Sequence, residues 1–134
     1  MTTTPEIFWL TLTALMTGLV FVPYTTNRIL TFGFTEVARS RDGWQHADPP
    51  WAARLVKAHK NAVENLVVFA PLALAVAVTG AGSAATALAC YTYFWARVVH
   101  AVGYAAGFTP VRGLSFVVGV VCQVTLALRL LGLV

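Results

Sequence analysis

Two short stretches of this sequence carry residue types that can do chemistry at spacings that bring them together. In "RLVKAHKNAVEN", Lys57, Asn61 and Glu64 fall at i, i+4 and i+7, and Lys60 precedes Glu64 by four. On a helix those positions share a face; His59 stands between the two lysines. In "RVVHAVGY", Arg97, His100 and Tyr104 fall at i, i+3 and i+7. Arg28 lies late in the first apolar run, and Arg112 follows the break "GFTP". Arg and Lys bind carboxylates, and a Glu takes an ammonium. Together with the amide of Asn61, the set suits a small anion that carries both an amine and carboxylates. Blander roles compete: Glu64 and Arg97 as a packing pair, His100 as a satisfied bundle histidine, Tyr104 as an interfacial aromatic, Lys57 and Lys60 as headgroup contacts.

The elements that must position these residues are set by composition. Of 134 residues, 58% are hydrophobic and 10% charged, where soluble domains carry about 25% charged residues. The mean hydropathy is +0.74. A soluble domain cannot hide that much apolar surface, so an integral membrane protein is expected. The net charge of +4 is carried by cations beside apolar runs. It reports topology and lipid contact, and no nucleic-acid partner is expected. Cys90 and Cys122 lie inside apolar runs and are read as small packing residues. No metal-ligand spacing is present, so no metal is expected.

Hydropathy predicts an all-α fold in one domain, 1–134: a transmembrane four-helix bundle with helices at about 5–30, 50–79, 83–106 and 111–133. The start of the chain lacks a basic region and a small-residue cleavage site, so it reads as a first membrane helix. Pro23 and Pro71 are expected to kink the first two helices. "GAGS" and "GFTP" read as turns. The polar stretch "TFGFTEVARSRDGWQHADPP" reads as a surface loop with a short helix over residues 35–39. Arg28, Arg39, Arg41, Arg54, Lys57 and Lys60 flank that loop, and Arg112 sits at the 3–4 connection. The excess of cations places the 1–2 and 3–4 loops in the cytoplasm and both termini outside. Arg129 dissents and is expected to snorkel outward.

Counted from that cytoplasmic boundary, Glu64 lies roughly 15 Å deep and Arg97 roughly 14 Å, at helical rise. A charge near the bilayer centre costs about 2.5–3.5 kcal/mol, so such groups pair or face a cavity. A Glu64–Arg97 pair is therefore expected at the floor of a polar pocket open to the cytoplasm.

The element A-H-x-N-x-x-E, followed by R-x-x-H-x-x-Y and the run into "FTPVRGLSF", resembles the MAPEG family of membrane-associated proteins in eicosanoid and glutathione metabolism. It is most similar to the microsomal prostaglandin E synthase branch and its bacterial relatives. The resemblance implies a four-helix bundle assembled as a homotrimer, with glutathione as cosubstrate between neighbouring subunits near the cytoplasmic side. By motif position, Lys57, His59, Lys60, Asn61 and Glu64 match glutathione contacts on helix 2, and Arg97 and Tyr104 match those on helix 3. Arg112 matches the arginine held near the thiol, and is the catalytic candidate. Arg28 matches a basic residue that closes helix 1 over the pocket. His100 joins the binding candidates by its place between Arg97 and Tyr104.

The sequence also departs from that pattern. The synthase's serine after the arginine is here Gly113, and a tyrosine three residues further is Phe116. The transferase branch's tyrosine after the helix 2 glutamate is Asn65. The implied function is a glutathione transferase or peroxidase acting on lipophilic electrophiles or lipid hydroperoxides that enter from the membrane lipids. Its first step is attack by a thiolate, which Arg112 favours electrostatically. The alternative is a non-catalytic lipid-binding or scaffold member of the same fold. The Ala/Val-rich, Arg-favouring composition points to a bacterial inner membrane.

Overall fold

The computed structural model describes residues 3–40 and 43–134; Arg41, one of the cations used for orientation, lies outside the described residues. The described chain is helical: α1 (Pro5–Leu19), α2 (Phe21–Phe32), α3 (Phe34–Arg39), α4 (Pro50–Val78), α5 (Ala84–Ala106) and α6 (Thr109–Leu130). Three helices are long and apolar enough to cross a membrane: Pro5–Phe32, taking α1 and α2 together, Pro50–Val78 and Thr109–Leu130. The fourth expected span, α5, has 23 residues, and Arg97 and His100 interrupt its apolar run.

Proline chemistry accounts for the break in the first helix. Pro23 lacks an N–H, so the Leu19 carbonyl loses its partner four residues on, and the first helix breaks at Val20 into α1 and α2. Pro71 sits inside α4, which continues as one helix to Val78. Pro5, Pro50 and Pro110 occupy first turns, where a missing N–H costs nothing. Gly107 ends α5 at φ 79°, a left-handed conformation a side chain would disfavour. The predicted short helix over 35–39 is found as α3, one residue longer at its start.

α5 packs against α1, α4 and α6, and α4 also contacts α1 and α6. The core joins α4, α5 and α6 through Phe69, Ala73, Val76, Ala89, Cys90, Tyr93, Cys122 and Leu126. Phe69 and Tyr93 stack at 3.7 Å with an interplanar angle of 9°. Small residues on α4 (Ala52, Ala58, Ala62, Ala73) are buried and let the helices approach closely.

Two ends of the bundle differ in kind. At one, the α4–α5 turn meets the chain start and the end of α6: Thr86 Oγ1 donates to Glu6 Oε1 at 2.6 Å, and Arg129 Nε donates to the Ala81 carbonyl at 2.9 Å. Arg129, near the end of α6, thus reaches the α4–α5 turn, and its Nη1 donates to the Val134 carbonyl at 3.0 Å. At the other end, Arg54 Nε donates to the Ala105 carbonyl at 2.8 Å. That bond caps α5, whose last carbonyls lack helical partners. Arg28 reaches Asp48 in the loop through Nε at 2.8 Å and through Nη2.

Candidate functional site

The i, i+3 pattern of Arg97 and His100 lies on the buried stripe of α5, which continues through Tyr93 and Gly103. Arg97 is 2% exposed and His100 3%. Gly119 on α6 faces this stripe: a Cβ there would lie in ordinary contact, 3.6 Å from the Tyr93 ring and 3.9 Å from Arg97 Cδ.

The partner of Arg97 is not the one spacing pointed to. Its Nη2 donates to Asn61 Oδ1 at 2.8 Å, and Glu64 makes no ion pair among the described residues. The expected Glu64–Arg97 pair is thereby corrected. Helical rotation is the reason. Asn61 lies half-buried at the edge of the α4 stripe, next to buried Ala58 and Ala62, whereas Lys57, Lys60 and Glu64 are exposed on the outer side of the same helix. Matching depth along the axis did not mean matching azimuth around it. Among the described residues, Arg97 Nε and Nη1 and His100 Nε2 are buried without a partner.

Five of the candidates line two separate pockets, and Asn61, Arg97 and His100 line neither. One, of about 470 Å³, is lined by Tyr24, Val56, His59, Lys60, Val63 and Glu64, between α2 and α4. Tyr24 and His59 are joined there through the phenol oxygen and Nδ1 at 2.8 Å. The other, of about 190 Å³, is lined by Arg54, Gly103, Tyr104, Gly107, Phe108, Thr109 and Arg112. Its geometry depends on Gly103, where a Cβ would sit 2.8 Å from Val111 Cγ1 and 3.7 Å from the Arg112 nitrogen. The missing side chain lets the first turn of α6 close onto α5 and seats Arg112 with its guanidinium 4.9 Å from the Tyr104 ring centre. Arg54 and Arg112 thus bring two cations to this pocket, whose lining holds no carboxylate.

Arg28 faces the loop. Besides its two bonds to Asp48, its guanidinium lies 5.2 Å from the Tyr24 ring and 4.5 Å from the Trp44 ring. It touches the first pocket only through Tyr24. Lys57 is exposed and lines neither pocket.

Two participants, Tyr24 and Gln123, were missed by spacing. Tyr24 sits one helical turn before Arg28, a signal available in the sequence. Gln123, 8% exposed, extends the polar network from α6: its Nε2 donates to the Asn65 carbonyl at 3.2 Å and lies 3.5 Å from the Tyr93 hydroxyl. Asn65 in turn donates to the Asn61 carbonyl at 2.9 Å. Ser115 is buried beside His100, its Oγ 3.5 Å from Nδ1.

The family model of the MAPEG family matches residues 7–132. No curated protein and no solved structure matches the chain.

Proposed function

Because the chain belongs to the MAPEG family, we propose that it is a glutathione-binding integral membrane protein that transfers or oxidises the thiol against lipophilic electrophiles or lipid hydroperoxides. One observation carries the reading. Among the described residues, Arg97, Arg54 and Arg112 present donors with no carboxylate bonded to them, while Glu64 stands exposed on a membrane-length helix with no cation bonded to it. Glutathione offers two carboxylates to the first group and an ammonium to the second.

The division also favours an assembly. A carboxylate exposed on a span costs about 2.5–3.5 kcal/mol in lipid, and a second copy removes that cost by covering the α2–α4 pocket. A homotrimer of four-span subunits, with each glutathione held between the Lys60–Glu64 pocket of one copy and the Tyr104–Arg112 pocket of the next, satisfies both halves. Arg112, mounted over Tyr104 beside the second pocket, is the residue to stabilise the thiolate. The cation-flanked loops then face the cytoplasm, and the composition favours a bacterial inner membrane.

A titration of purified protein with glutathione, followed by turnover of a generic electrophile and of a lipid hydroperoxide, tests the reading. Saturable binding with turnover in either assay supports it. Arg112→Ala is expected to lose turnover with binding largely kept, and Glu64→Gln to weaken binding at least several-fold. Gly113, Phe116 and Asn65, none of which offers a hydroxyl, favour the second reading, a non-catalytic lipid-binding or scaffold protein. Absence of glutathione binding would establish that one.

A further inference from the structure

The described residues leave three buried nitrogens without a protein partner in the polar network: Arg97 Nε, Arg97 Nη1 and His100 Nε2. The two arginine atoms are donors under all conditions. The histidine atom differs, and the geometry around its ring decides what it is. His100 Nδ1 lies 3.1 Å from the Arg112 carbonyl oxygen. A carbonyl only accepts, so Nδ1 carries the hydrogen. The Ser115 hydroxyl donates to the Val111 carbonyl at 2.6 Å, which leaves its oxygen lone pairs for the same Nδ1–H at 3.5 Å. No carboxylate touches the ring among the described residues, so no counter-ion stands ready for an imidazolium. These contacts fit the tautomer with its hydrogen on Nδ1 and a lone pair on Nε2.

We propose that His100, through Nε2, is the base that takes the thiol proton, and this rests on the glutathione reading above. It offers an unpartnered lone pair beside the cations Arg97 and Arg112, where Gly113, Phe116 and Asn65 offer no hydroxyl. In the step, the S–H bond breaks, the proton moves to His100 Nε2, and the electron pair stays on sulfur. The thiolate then forms a bond to the electrophilic carbon as the leaving group departs with its own pair. The proton passes from Nε2 to that group or to water. The imidazolium formed in between is held by the Arg112 carbonyl, which accepts from Nδ1 throughout. Arg112 therefore acts twice, through its guanidinium on the thiolate and through its carbonyl on the base.

The groups that govern the ring come from three helices. On α5 they are Arg97, one turn earlier, and Tyr104, edge-on at 5.7 Å between ring centres. On α6 they are Arg112 and Ser115, with the Phe116 ring at 6.5 Å. α4 enters through Asn61, which holds Arg97. The two cations oppose a lasting positive charge on the ring, which suits a group that must hand the proton on.

His100→Asn separates base from support, because the Asn carboxamide nitrogen takes the place of Nδ1 and still donates to the Arg112 carbonyl, while nothing replaces Nε2. The expected variant keeps its thermal midpoint and binds glutathione within about threefold of the native protein. It loses the ultraviolet thiolate band of bound glutathione near neutral pH, and turnover falls at least tenfold, within the range of about 10²–10⁴ seen for general bases. Raising the pH restores turnover as hydroxide takes over. A variant that binds glutathione and keeps both the thiolate band and the native pH profile overturns the proposal alone. A native protein that binds no glutathione overturns the parent reading and this one with it. Should the variant fail to fold, nitrogen-15 NMR of histidine-labelled native protein reads the tautomer directly: an unprotonated Nε2 supports the assignment, and a protonated one overturns it.

Discussion

Arg97 on α5 donates to Asn61 on α4 at 2.8 Å, a side-chain bond that joins the two helices in their interior. Arg97 is 2% exposed and has no carboxylate partner among the described residues, so Asn61 Oδ1 is the acceptor that answers a buried guanidinium. Removing it leaves the charge with no protein partner at all. Asn61→Leu is expected to destabilise the fold by about 2–4 kcal/mol, a cost set by desolvated charge more than by the lost bond. Asn61→Asp puts a carboxylate in the same place and is expected to keep the native melting temperature or raise it. Thermal unfolding in detergent, followed by helical circular dichroism, checks both. If the leucine variant melts with the native protein, Arg97 is satisfied by water and the bond is incidental.

Gly103 fixes the position of Arg112 through a contact that an added methyl would destroy. A Cβ at that position sits 2.8 Å from Val111 Cγ1, and Val111 immediately precedes Arg112. One of the two must shift, and the first turn of α6 is freer to move than the middle of the bundle. Gly103→Ala is expected to cost about 1–3 kcal/mol as an overpacking change. Its turnover should fall further than its glutathione affinity, because Arg112 moves and Asn61 does not. Steady-state kinetics alongside a glutathione titration separate the two effects, and an equal loss in both would mean that the whole pocket had moved.

Asp48 anchors the loop to the end of α2 through Arg28, and Trp44 stacks on the same guanidinium. The acidic side chain is 8% exposed and the basic one 15%, so solvent screens the pair only in part. Asp48→Asn should cost about 1–2 kcal/mol. Its clearer effect is local: amide hydrogen exchange over residues 43–49 is expected to quicken, while exchange in α5 stays slow. Unchanged exchange in the loop would show that aromatic stacking alone holds it.

How much of this was legible in the sequence depended on which physical rule carried the information. Apolar run length gave the helices to within a few residues, since backbone satisfaction in lipid leaves little choice. The face shared by Arg97 and His100 followed from 3.6-residue periodicity within one helix. Pairing between helices did not follow. Glu64 and Asn61 differ by three positions, and the rotation of α4 against α5 decides which of them meets Arg97; that rotation is set by the packing of Ala58, Ala62 and Phe69, which a depth count cannot resolve. Gln123 was missed for a related reason. A single amide in an apolar run carries no period, and its role appears only when α6 lies beside Asn65 and Tyr93. Asp48 read as part of a polar loop because loop composition says nothing about which side chain folds back.

Glu6, in the first turn of α1, is 2% exposed and meets the start of α5 at the opposite end of the molecule from Arg112. Thr86 links it to the helix cap: the Thr86 hydroxyl lies 2.6 Å from Glu6 Oε1 and accepts from the Ser83 backbone nitrogen at 2.7 Å, while Ser83 Oγ accepts from the Thr86 nitrogen at 3.2 Å. Two substitutions separate the cap from the carboxylate. Ser83→Ala removes one capping bond and is expected to cost about 1 kcal/mol. Thr86→Val keeps the shape but strips the donor from a buried carboxylate as well, so about 2–4 kcal/mol is expected. Glu6→Gln keeps an acceptor for the hydroxyl and should fall between the native protein and Thr86→Val. Melting temperatures of the three in one detergent decide the matter: a valine variant no less stable than the alanine one would mean that Glu6 is satisfied elsewhere and does not pin the first helix to α5.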